Sequence, residues 1–139
     1  MTLNPTILTA HGTYFDFETP QGSQIDINAI AHALSHICRF TGHTRQFYSV
    51  AQHSYMVSMI VPPEFAFAAL LHDAAEAYLG DIASPLKQRL HDYQRIEANV
   101  EQAVFHYFGI ALPLNDCIKH ADLVMLATEA RDLLPKHND

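Results

Sequence analysis

Residues Phe65–Lys87 read FAFAALLHDAAEAYLGDIASPLK, and this stretch decides the fold. Phe65–Leu71 carry no polar side-chain atom and begin a helix in which His72, Asp73 and Glu76 are set among alanines. Gly80-Asp81 breaks it. Packing such a helix requires no polar side chain at all. A carboxylate buried alone is costly, so it must be paired, hydrogen-bonded or bound to a metal. At roughly 100° per residue, positions 72, 73 and 76 share one broad face, with 72 and 76 spaced i,i+4 and 73 and 76 spaced i,i+3. An imidazole beside a carboxylate in an oily helix reads as a pair of metal ligands, with a second carboxylate held one turn on.

Upstream, Glu64 opens this helix after the Pro62-Pro63 pair, which ends another helix capped by Ser49 and running to Val61. Asp26 or Asn28 caps a helix reaching about Ile37, with Ile27, Ile30, Ala31, Leu34 and Ile37 on its apolar stripe. A loop rich in cations and aromatics, RFTGHTRQFYS, joins the two. Residues 7–20 read as short extended pieces around Gly12, closed by the turn TPQGS. Downstream, Ser84-Pro85 turns into a short basic segment. Asp92 caps a helix burying Ile96, Val100, Ala103, Val104 and Tyr107 or Phe108 until Gly109 stops it. Asn115 or Asp116 caps a last helix that Pro135 terminates. The fold class expected is all-α, one domain over residues 1–139, with a short N-terminal β-hairpin.

Composition narrows the partners. A net charge of −7 argues against polymeric nucleic acid, which is held by Lys and Arg. It leaves room for a small phosphorylated substrate, because a metal and a few placed cations make a local positive pocket. Half of the eight basic residues (Arg39, Arg45, Lys87 and Arg89) lie between positions 39 and 89, where the candidate chemistry also lies. Cys38 and Cys117 lack a CxxC spacing and are read as small buried side chains without a bridge. The N-terminus has no charged region followed by an apolar run, and no window reaches the ~18 apolar residues of a membrane span. A soluble, cytoplasmic protein is expected.

His53, in SVAQHSYMVSMIV, has Val50, Met56 and Val57 three and four positions away, so its imidazole faces inward. Asp122, in IKHADLVML, sits four after Ile118 and three before Met125, where packing alone asks for Leu. His91-Asp92 is a second HD pair, but its polar, basic surroundings mark it as a solvated turn and helix cap. Two imidazoles and two carboxylates on three helices form a mixed N/O set suited to Mn, Co, Zn, Fe or Ni more than to Ca or a thiolate-loving ion.

The order H…HD…D, the HD followed by AAE, then GD and PLK, resembles the HD-domain phosphohydrolases, within them the bacterial and phage branch that includes 5'-deoxynucleotidases. The similarity runs from about Ile25 to Leu134. It is strongest in ALSHICRFTGHTRQFYSVAQHS, ALLHDAAEAYLGDIASPLK and KHADLVMLATEARDL. The resemblance implies an HD-type helical bundle in which His53, His72, Asp73 and Asp122 hold one metal. Glu76 and Asp81 would handle the proton and the water. Arg39 and Lys87 would contact phosphate, and Phe40 would pack against the sugar; His43 and Arg45 are weaker pocket candidates. The activity implied is removal of phosphate from (deoxy)nucleoside 5'-monophosphates by a metal-activated water. The rival activities are triphosphate release from deoxynucleoside triphosphates at the same site and nucleotide sensing without turnover. Family chains often continue for further helices, which implies a pocket that is either more open or completed by a neighbouring subunit; a homo-oligomer is expected.

Overall fold

The computed structural model of the protein describes residues 4–137. It is mostly helical, with one two-stranded antiparallel sheet at its start. Strands β1 (Thr6–Leu8) and β2 (Tyr14–Asp16) pair Ile7 with Phe15 across a turn in which Gly12 has φ +82°. A single 3₁₀ turn, Pro20–Gly22, leads into α1 (Ile27–His36). Asp26 caps α1 by accepting from the Ala29 amide. Ser49 caps α2 (Val50–Ile60) in a reciprocal box with Gln52, which satisfies two amides that the helix leaves open.

The stretch that decides the fold is not one continuous helix. A 3₁₀ turn at Pro63–Phe65 enters α3 (Ala66–Leu70), tight turns follow over 71–75, and α4 (Glu76–Leu79) resumes. Across the break the amides of His72, Ala74 and Glu76 donate to the carbonyls of Ala69, Leu71 and Asp73, three residues back rather than four. The His72 ring supplies the reason. Its Nδ1 lies 2.6 Å from the Ala69 carbonyl, the group an unbroken α-helix gives to the amide of Asp73. In this tighter winding residues three apart eclipse, so Asp73 and Glu76 are stacked more closely than on an α-helix.

The rest follows the expected order. α5 (Ser84–Lys87) is a single turn, and α6 (His91–Tyr107) buries Val100, Ala103, Val104 and Phe105. Asp92 lies in the first turn of α6 rather than at its cap; Leu90 holds the cap position without a side-chain bond. Phe108, not Tyr107, turns inward, and Gly109 at φ +69° ends the segment. Asn115 caps α7 (Asp116–Leu133) through the Cys117 amide. Both cysteines are free, and Cys38 is exposed rather than buried. Among the described residues no helix is long and apolar enough to cross a membrane.

α2 packs against α1, α3 and α7, and the core falls into two apolar clusters that it links. One surrounds Ile30, Leu34, Val50, Tyr78 and Val104; the other surrounds Val57, Val61, Ala69, Ile118 and Met125. The hairpin joins the first by stacking Phe15 on Tyr78 with ring centroids 3.9 Å apart, which fixes α4 from outside. His53 lies between Val50 and Val57, at the seam of the clusters.

Gly80 ends α4 at φ +84°, ψ 174°, a conformation open essentially only to glycine, and so aims Asp81. Gly80→Ala is expected to cost about 1–3 kcal/mol of unfolding free energy, read by urea denaturation. An unchanged midpoint would show that this corner relaxes freely.

Candidate metal centre

Three parts of the fold deliver donors to one point. α2 supplies His53, the tight turn after α3 supplies His72 and Asp73, and α7 supplies Asp122. His53 Nε2 lies 2.8 Å from Asp122 Oδ1 and 3.8 Å from Asp73 Oδ2. His72 Nε2 lies 3.1 Å from Asp73 Oδ2 and 3.5 Å from Asp122 Oδ1. Around one ion with bonds of about 2.1 Å, neighbouring ligands stand roughly 3 Å apart and opposite ones roughly 4 Å. All four distances lie near that window. His53, His72 and Asp122 each offer one donor atom within 4.8 Å of the others, and Asp73 flanks both imidazoles.

The donors also have the right chemistry. His72 Nε2 is buried and makes no hydrogen bond, although two carboxylates are beside it. A buried donor atom left without a bond is costly, and a cation at this point would satisfy it. The residues therefore fit a divalent ion with mixed nitrogen and oxygen ligands.

The charge balance points the same way. Burial works against a charged His72, but the adjacent Asp73 carboxylate outweighs it and pushes the imidazole up to about 10. Burial opposes the charge on Asp122 too, yet the hydrogen bond from His53 and the charge of His72 hold it well below the usual carboxylate range. Glu76, only 8% exposed, is pushed up to about 11 by burial and by the charges of Asp73 and Asp81, so it keeps its proton at neutral pH. Protons on His72 and Glu76 offset part of the crowded negative charge. A metal ion would compete for the same place.

Glu129 is the residue that sequence reasoning missed. It is 2% exposed on α7, two turns beyond Asp122, and makes three bonds. Its Oε2 lies 2.7 Å from His53 Nδ1 and accepts from Tyr48 Oη at 2.6 Å; its Oε1 accepts from Arg39 Nη2 at 3.0 Å. Burial opposes its charge, but the bonds from His53 and Tyr48 win and keep it ionised. The signal was present in the spacing: Glu129 continues the buried stripe Ile118, Ala121, Met125.

A cleft of about 250 Å³ adjoins the centre, lined among others by Arg39, Phe40, Asp81, Ile82, Pro85 and Leu126. Leu126 is one turn from Asp122 on α7. Arg39 Nη1 lies 4.0 Å from Asp81, and its guanidinium sits 5.0 Å from the centre of the Phe40 ring. Phe40 and Thr41 have φ of 55° and 54°, followed by Gly42 at 79°. Two non-glycine residues in the left-handed region cost about 1–3 kcal/mol each. They are held by the pairing of Cys38 with Ser49 and by the grip of Glu129 on Arg39.

The remaining candidates do not line the cleft. Lys87 Nζ is 2.8 Å from Glu97 Oε2 and 6.0 Å from the Tyr93 ring centre. Arg45 serves the end of α7: its amide donates to the Leu133 carbonyl and its Nη2 to that of Asp132. His43 is exposed.

The raised values of His72 and Glu76 have the same consequence for stability. His72 holds a proton in the folded state that the unfolded chain releases near 6.5, so its contribution is full below 6.5 and is lost as pH rises toward about 10. Glu76 acts in the same direction between 4.5 and about 11. Without metal, the melting temperature is expected to fall from pH 6.5 toward 10. Each retained proton contributes about 1.4 kcal/mol per pH unit. Because an ion displaces the His72 proton, the gain in melting temperature on adding Zn²⁺ should grow over the same range. A flat profile in both series would refute this charge balance.

No protein-family model matches the chain. Similar proteins include the uncharacterized protein YfdR of Escherichia coli, 49% identical over 127 residues that cover 91% of this chain and 71% of YfdR. An uncharacterized protein of Rhodobacter capsulatus is 33% identical over 136 residues, covering 88% of this chain and 69% of that protein. With these shares of identity and coverage, the chain belongs to the same family as YfdR.

Proposed function

We propose that the protein is an HD-domain, metal-dependent phosphohydrolase that removes phosphate from (deoxy)nucleoside 5'-monophosphates. The observation that carries this reading is the convergence of His53, His72, Asp73 and Asp122 beside a buried, protonated Glu76 and next to a cleft bearing Arg39. A divalent ion held by the four donors supplies a Lewis acid for a phosphoryl oxygen and lowers the pKa of water.

The side chains do the rest. Arg39 meets the charge on the phosphoryl oxygens from the cleft wall. Phe40 and Leu126 give the sugar an apolar surface. Asp81, at the junction of cleft and centre, orients the attacking water and takes its proton. As water adds to phosphorus and the P–O5' bond breaks, Glu76 gives its proton to the departing 5'-oxygen. The charges that keep Glu76 protonated are those of Asp73 and Asp81, so neutralising Asp73 makes it a stronger acid. At about 250 Å³ the cleft lies near the lower end of small-molecule pockets, roughly 300–1,000 Å³, which suits a phosphate and sugar with the base reaching toward solvent. Free thiols at Cys38 and Cys117 support a reducing, cytoplasmic setting. The exposed Tyr55, Met56, Met59 and Ile60 of α2 support a homo-oligomer.

Product analysis with Mn²⁺ or Co²⁺ tests the reading. Orthophosphate from dAMP supports it. Inert dAMP with triphosphate released from dATP favours the triphosphohydrolase, and tight binding without turnover favours a sensor. Glu76→Gln should keep the metal and lower kcat by about 10²–10⁴-fold, whereas His72→Ala should lose metal and turnover together. Full turnover in Glu76→Gln would remove that residue from the chemistry.

A further inference from the structure

Glu129 touches both halves of the site, and no reading of the motif gives it a part. His53 is fully buried, and its two ring nitrogens face carboxylates on opposite sides. Glu129 already accepts from Arg39 Nη2 and Tyr48 Oη, as a carboxylate does, so in its 2.7 Å contact with His53 the hydrogen sits on Nδ1. With that hydrogen kept on Nδ1, a bound ion displaces the one that Nε2 gives to Asp122, and the freed Nε2 lone pair then points between Asp122 and His72, where a ligand is needed. The other oxygen of the same carboxylate takes Arg39 Nη2, which leaves Nη1 toward Asp81 and the cleft. Tyr48 adds a third donor to Glu129. Three donors on one buried group can be met by a carboxylate but not by an amide, whose NH₂ would confront one of them.

We propose that Glu129 is a positioning residue that holds His53 in its metal-binding tautomer and Arg39 in its anion-binding orientation, so that both halves of the site rest on one carboxylate. The proposal rests on the metal centre described above but not on any particular substrate. It predicts that disturbing Glu129 weakens metal and anion binding together, whereas disturbing Arg39 weakens the anion alone.

Calorimetric titration of Co²⁺, then of inorganic phosphate into the Co²⁺-loaded protein, separates the cases. Glu129→Gln should bind Co²⁺ about 10–100-fold more weakly, the usual cost of losing a partner behind a histidine ligand, and phosphate more weakly as well. Arg39→Leu should keep Co²⁺ affinity and lose phosphate. Unchanged Co²⁺ affinity in a folded Glu129→Gln would overturn the proposal, and so would weakened Co²⁺ binding with phosphate affinity intact. Should that variant not fold, ¹⁵N spectra of the wild type loaded with Zn²⁺ decide: a proton on His53 Nδ1 is expected, and one on Nε2 would overturn it. A wild type that binds no Co²⁺ overturns this proposal and the metal centre with it. A wild type that binds Co²⁺ but releases no phosphate from dAMP removes only the proposed activity.

Discussion

Carboxylates crowded into an apolar interior have to be matched by positive charge, and the architecture around His53 answers that constraint. Asp73, Asp122, Glu76 and Glu129 come together where the two apolar clusters meet. Each is matched differently. Asp122 takes a bond from His53, Glu129 takes three donors, Asp73 lies against His72, and Glu76 keeps a proton. Removing one partner leaves an uncompensated group behind, so these residues behave as a unit rather than as independent pairs.

The backbone accepts local cost to build this unit. The central stretch gives up α-helical bonding at His72, and the segment after α1 enters the left-handed region at Phe40 and Thr41. Both departures lie beside the site. The first lets two consecutive residues, His72 and Asp73, reach the same point; the second brings Arg39 and Phe40 over the cleft. Elsewhere the chain follows ordinary rules, with side-chain caps at Asp26, Ser49 and Asn115 and a glycine stop at Gly109.

Those caps and the helices they begin were legible in the sequence because they depend on residues a few positions apart. The convergence of His53, His72 and Asp122 was legible for another reason: each is a polar group on a face otherwise given to packing. Three features were not. The break at His72 arises from a side chain competing for its own helix carbonyl, which hydrophobic periodicity does not register. Glu129 was passed over because its partners, Arg39, Tyr48 and His53, lie 76 to 90 positions earlier. The pairing of Lys87 with Glu97 depends on how α5 packs against α6, and no motif encodes it.

The span of those contacts bears on how the protein matures. Arg39 and Glu129 close a loop of 90 positions, and His53 and Asp122 one of 69. Contacts this distant along the chain form only once most of the polypeptide has collapsed, because the entropy of closing the loop is lost before the contact is gained. During synthesis the emerging N-terminal part has His53, His72 and Asp73 but neither α7 carboxylate, and so lacks the fourth ligand, Asp122, and the Glu129 that holds His53. At the proposed centre an ion would therefore find its full set of ligands only late, and its capture would act as a latch on the finished structure.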